Sequence, residues 1–131
     1  MLKKILLIIA IIFISTSCGL FAQNNELGII EGFPKNFPAD IPQPQNSKCK
    51  GYLNTSEGTC VTFESSDSAL QIFDFYKMEM KSAGFISGLD GDSMINETGG
   101  LTEWNKDERK ITLMVSYVKE NNKSQIVITY K

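Results

Sequence analysis

The chain has 131 residues, with 13 Lys and Arg against 15 Asp and Glu, no His, three Cys and 42% apolar residues. That length holds one domain core and leaves no room for a second. A formal charge of −2 with scattered lysines excludes the clustered basic surface that nucleic acid requires. The absence of His excludes His-activated Ser or Cys nucleophiles, His-ligated zinc and a His proton shuttle.

At the N-terminus, Met1-Leu2-Lys3-Lys4 is a short basic start, Ile5 to Ile14 is an unbroken apolar run, and Ser15, Thr16 and Ser17 follow. This is the pattern of a secretory signal peptide. As a helix the run rises about 15 Å, half of a ~30 Å hydrocarbon core, so it is too short to span a bilayer. The stretch Ser15-Thr16-Ser17-Cys18-Gly19 resembles a bacterial lipobox, with Ser15 standing where Leu is usual. The resemblance implies a leader of residues 1–17, acylation of Cys18 with palmitate-type chains, and a protein anchored to a bacterial membrane through its N-terminal lipid. Two or three acyl chains anchor stably, at about 0.8 kcal/mol per buried methylene. The alternative is cleavage after Ala22, before Gln23, which gives a free secreted or periplasmic protein. Loss of Lys3 and Lys4 with the leader makes the mature chain two charges more negative than the whole.

From Cys18 to Ser47 four prolines (Pro34, Pro38, Pro42, Pro44) and repeated Asn and Gln break any apolar period. Proline removes a backbone donor and biases its predecessor to extended forms, so residues 18–47 are expected to be a Pro-rich tether before a globular unit at 48–131. The segment Phe37-Pro38-Ala39-Asp40-Ile41-Pro42, with Phe75-Tyr76 and Ala83-Gly84-Phe85 downstream, resembles small secreted bacterial lipoproteins of uncharacterised function. The resemblance implies an antiparallel sheet carrying one helix, and brings no catalytic residue.

The folded unit begins with a hairpin. Lys48 to Leu53 and Thr59 to Glu64 flank the turn-rich Asn54-Thr55-Ser56-Glu57-Gly58. A register centred on that turn sets Cys49 across from Cys60, and in an exported chain the expectation is a disulfide, with free thiols or a metal as alternatives. Two Cys without His are too few for a closed zinc site. A helix follows: Ser68 and Gln71 form a capping box, and Ala69, Ile72, Phe73, Tyr76, Met80 and Ala83 recur at helical spacing as a core stripe. Gly84 supplies a left-handed cap, and Phe85 folds back onto the last turn. Phe75 lies off the stripe.

Strands are then expected at Phe85–Leu89, Leu101–Asn105, Lys110–Lys119 and Ser124–Lys131. A two-residue turn at Asn121-Asn122 would pair Tyr117 with Ile126, Val115 with Ile128 and Leu113 with Tyr130. The order β-β-α-β-β-β-β defines an α+β fold, a mostly antiparallel sheet with one helix on one face. The opposite face, with Thr112, Met114, Ser116, Val118, Val127 and Thr129, is half apolar. Met114, Val118 and Val127 are the candidate contacts for an envelope protein partner, against a plainly solvated face.

Chemistry-bearing patterns are weak. Asp90-Gly91-Asp92-Ser93 starts like a calcium loop, but Ile95 and Leu101 stand where Gly and Glu are required. Asp90, Asp92 and Glu103 are the acids available to a carboxylate-dependent hydrolase. Trp104 and Tyr117 are the aromatics available to a ligand, with sheet packing the simpler role. Asn54, Asn96 and Asn122 begin Asn-x-Ser/Thr sequons. No catalytic set, cofactor or metal site emerges. The expectation is a non-catalytic binding or accessory module tethered in a bacterial envelope, with a secreted hydrolase as the alternative.

Overall fold

The structure, a computed structural model, describes residues 29–88 and 94–131. The leader, Cys18, the Ala22 cleavage alternative, Asp90 and Asp92 therefore lie outside the described residues.

Seven strands form one antiparallel sheet: β1 (Ser47–Thr55), β2 (Gly58–Ser65), β3 (Ile86–Ser87), β4 (Ile95–Asn96), β5 (Gly99–Lys106), β6 (Arg109–Val118) and β7 (Lys123–Tyr130). Their spatial order is β1-β2-β7-β6-β5-β3, and β4 pairs with β5 on the same edge as β3. The single described helix, α1 (Ala69–Ser82), lies between β2 and β3 in sequence and over one face of the sheet. This is the α+β architecture expected from the sequence, with the short β4 as an additional strand.

Alternation places the core. In β2 and β7 every second residue is buried: Thr59, Val61, Phe63 and Ser65 on one, Ser124, Ile126, Ile128 and Tyr130 on the other. In β6 Ile111, Leu113 and Val115 do the same. Helix α1 answers with Ala69, Ile72, Phe73, Tyr76 and Met80. Its start carries the expected capping box, Ser68 and Gln71 each accepting from the other's backbone N–H. Its end is closed by Gly84 at φ +89°, where the Gly84 N–H donates to the Lys81 carbonyl and the Phe85 N–H to that of Met80. Only a residue without a β-carbon takes that backbone conformation without strain.

Two registers differ from expectation. The β6–β7 pair runs Ile111↔Tyr130, Leu113↔Ile128 and Val115↔Ile126, two residues away from the predicted pairing, with residues 119–122 forming the connection. A shift of two preserves which face each side chain occupies, so the apolar pattern alone does not distinguish the two registers. The first hairpin turns tightly at Ser56-Glu57 and contains a bulge between Cys49 and Gly51. Cys49 consequently faces Phe63 while Cys60 faces Leu53. The extra residue sets Cys49 on the helix side of the sheet, at the core margin, and leaves Cys60 on the other side beside Thr129. The expected disulfide is not formed; both thiols are free.

The expected tether is also corrected over its described part. Residues 29–46 form a strap packed across the β1–β2–β7 side of the same face that α1 covers. Ile30 bridges to Tyr52 through paired backbone hydrogen bonds of 2.8 and 3.0 Å. Gly51 permits the approach, since a β-carbon there would lie 2.8 Å from the Ile30 carbonyl oxygen. Phe37 stacks edge-on against Phe63 and Tyr130, and Ile41 is buried as deeply as the sheet's own core residues. Prolines that break a helix or a strand still satisfy the domain when their rings and carbonyls are used: Pro34 is buried, and the Pro42 carbonyl accepts the Tyr76 hydroxyl at 2.8 Å. Burial pushes the Tyr76 phenol far above its ordinary value, so it stays a donor to that carbonyl.

Candidate functional site

The strap and the helix divide the inner face between them. On the strap side the space is filled. Asp40 accepts a bidentate pair of hydrogen bonds from Arg109, at 2.6 and 2.8 Å, and Lys106 approaches the same carboxylate at 3.5 Å. The bond from Arg109, with its charge and that of Lys106, lowers the Asp40 carboxyl to about 2 against the opposing effect of burial. Lys106 also donates to the Ala83 carbonyl at 2.8 Å, neutralising an orphan acceptor at the end of α1. Both cations sit over the Phe85 ring, 5.4 and 5.3 Å from its centre.

On the far side of α1 the space is open. Between the helix and the β3–β5 edge lies a groove of about 610 Å³. Phe73, Phe85 and Trp104, all buried, form its floor; Leu70, Ile86 and Ile95 form its walls. Ile86 and Leu70 are 73% and 43% exposed, so the walls are apolar surfaces that meet water. Asp74, Lys77 and Lys81 of α1, with Ser87 and Thr102 of the sheet edge, supply the polar rim. Lys77 and Ser87 each make contacts of their own. A concave, mostly apolar cleft of this size with a few polar groups at its margin has the properties of a small-molecule site.

The residues that build the groove come from a pattern legible in the chain: Leu70, Phe73, Asp74, Lys77 and Lys81 are spaced three and four apart, a second stripe on α1 beside the core stripe. Sequence reasoning read the core stripe and did not pursue its neighbour. The opposite wall could not be found that way, because β3 and β4 are two-residue strands held by pairing with β5.

Of the expected site residues, Trp104 lies in the groove, 6.2 Å from the Tyr76 ring. Tyr117 lies elsewhere, its hydroxyl bonded to Asn122 at 3.0 Å. Glu103 pairs with Lys110 at 3.1 Å on the opposite face. Met114 and Val127 stand directly across from each other on that face, with Met114 half exposed; Val118 lies farther along, across from Lys123. Among the described residues no group of three or more acidic or Cys side chains is gathered for a metal ion, and no helix is long and apolar enough to cross a membrane.

Compared with known families, residues 49–127 match the family model described as START domain-like. No curated protein and no solved structure matched.

Proposed function

The chain belongs to the START domain-like family, the match covering more than half its length, and from that membership together with the open groove we propose that it is a ligand-binding accessory module of a bacterial envelope, held to the membrane by lipid on Cys18. START-like domains typically bind ligands and are not catalytic. The observation that carries the reading is the groove itself: apolar walls of Leu70 and Ile86 left exposed above the buried rings of Phe73, Phe85 and Trp104. Leaving the Leu70 and Ile86 side chains in water costs roughly 25 cal/mol per Å² of apolar surface, a cost that an apolar ligand recovers on entering. The strap and the bound ligand then have complementary tasks, one closing the permanent part of the core and the other the exchangeable part.

Trp104 is the chain's one tryptophan and lines the groove, so its emission reports occupancy. Titration of the purified full chain with decanol is expected to give a saturable change in Trp104 fluorescence. Thr102→Phe, which projects a ring into the groove, is expected to abolish that change. A linear, non-saturating response in the native chain rejects the binding role. For the anchor, the intact mass of protein from bacterial membranes is expected to match a chain beginning at acylated Cys18. A chain beginning at Gln23 in the soluble fraction rejects the tether and leaves the groove reading untouched.

A further inference from the structure

The groove is not electrically uniform along its length. Its rim charges all come from one helix, and their order is fixed by the chain: Asp74 first, then Lys77, then Lys81. At about 1.5 Å per residue, Asp74 and Lys81 are roughly 10 Å apart along α1. The end beside Leu70 is therefore acidic and the end beside Phe85 basic. Behind Phe85 stand Lys106 and Arg109, two further cations, held by Asp40 with Asp107 also acting on Arg109. Lys81 forms no side-chain hydrogen bond or ion pair among the described residues, whereas Lys106 and Arg109 are committed to the strap.

Resting on the reading of the groove as a ligand site, we propose that its ligand is an amphiphile with a single anionic head, a carboxylate in the simplest case, whose head is received by Lys81 and whose apolar chain lies along Phe73 and Trp104 toward Leu70. The orientation follows from the charges. A head at the opposite end would meet Asp74 and be repelled, and a neutral ligand would leave the ammonium of Lys81 unused. Lys81 is exposed and lines the groove, so a ligand head that meets it stays hydrated as the chain is buried. A partly exposed ion pair of this kind contributes selectivity more than affinity, which is drawn from the apolar floor.

The test compares two ligands with the same tail. Decanoic acid at pH 8 and decanol, each below its aggregation concentration, are titrated into the full chain with Trp104 emission as the readout. The acid is expected to bind about fivefold more tightly than the alcohol. Lys81→Met, which keeps an unbranched apolar stem and removes the charge, is expected to erase that difference, and Lys81→Arg to retain it. A urea midpoint equal to that of the native chain shows that each variant is folded. Equal binding of acid and alcohol by the native chain, or a preference that persists in Lys81→Met, overturns the anionic-head assignment while the groove stands as a binding site. Failure of both ligands to bind rejects the groove reading, and this assignment with it.

Discussion

The two flanks of α1 are built from similar residues and end in opposite states. On the strap flank, aromatic rings and prolines from residues 33–44 fill the space over β2 and β7, and every polar group that enters finds a partner: Tyr76 to Pro42, Tyr130 to Asn36 and Asp40 to Arg109. On the groove flank, Phe73, Phe85 and Trp104 offer the same kind of surface, yet the facing strands β3 and β4 are two residues each and leave about 610 Å³ between helix and sheet. The difference is one of chain supply. A proline-rich segment, unable to become helix or strand, was available to one flank and not to the other. Stability is therefore expected to reside in the strap flank and binding in the groove flank.

The sharpest way to break this division is to truncate one apolar residue on each flank. Ile41→Ala removes a side chain that is 3% exposed, and is expected to cost about 3 kcal/mol, seen as a lowered urea midpoint with unchanged slope. Ile86→Ala on the groove wall, where 73% of the residue already meets water, is expected to change stability by less than about 0.5 kcal/mol. If the two costs are equal, the strap is no part of the core.

A smaller effect sharpens the comparison through pH. Asp40 is held at about 2 in the folded chain, below its ordinary 3.8, mainly by the hydrogen bonds from Arg109. A carboxylate lowered on folding contributes its stability fully above the unfolded value, and loses it as pH falls through the folded one. The strap clasp thus works at neutral pH and is lost between about pH 4 and pH 2. With both side chains of the pair 34% exposed, solvent screening limits its contribution to about 1 kcal/mol. In urea titrations across that window, Asp40→Asn is expected to flatten the native chain's acid-induced loss by that amount; an unaltered acid limb places the pH dependence elsewhere. Decanol binding on the other flank is expected to be indifferent to this substitution at pH 7.

How much of this was legible in the chain depends on where the physical constraint lay. The helix could be read closely, because its cap, core stripe and terminal Gly84-Phe85 are local patterns that depend on neighbours three or four residues away. The α+β class followed from alternation in β2, β6 and β7. What escaped was set by distant contacts. The strap looked like a tether because proline argues only against regular structure, and nothing local reveals that Ile41 and Pro34 are buried or that Asp40 meets Arg109, 69 residues away. The groove escaped because it is space between elements, bounded on one side by strands too short to carry a period. The β6–β7 register escaped by two residues because both pairings keep the same apolar face. On the outer face the observed pairing sets Met114 across from Val127, where the expected one set it across from Thr129.

The smallest effect expected concerns the two cysteines, and it tests the register of the hairpin to which the strap attaches. A disulfide requires α-carbons roughly 4.4 to 6.8 Å apart and β-carbons directed toward each other. Cys49 lies opposite Phe63 and Cys60 opposite Leu53, so four residues of β1 separate Cys49 from the position facing Cys60, and the bulge sets the two side chains on opposite faces. Bringing the sulfurs together would require the hairpin to abandon the Thr55↔Gly58 turn, and the slip would unseat Val61 and Phe63, both buried against the strap and helix. That loss exceeds the roughly 3 kcal/mol a short-loop disulfide returns. The intact mass of the native chain is therefore expected to be the same before and after reduction, and Cys60→Ser to leave the urea midpoint unmoved, since Cys60 is half-buried on the outer face and its thiol accepts from the Thr129 hydroxyl, a bond serine can keep. A gain of about two mass units on reduction, traced to a bond between these two residues, would mean that the hairpin sets Cys49 across from Cys60 in place of the Thr55↔Gly58 register. Tyr52 would then lose its pairing with Ile30, and the strap would lose its first point of attachment to the sheet.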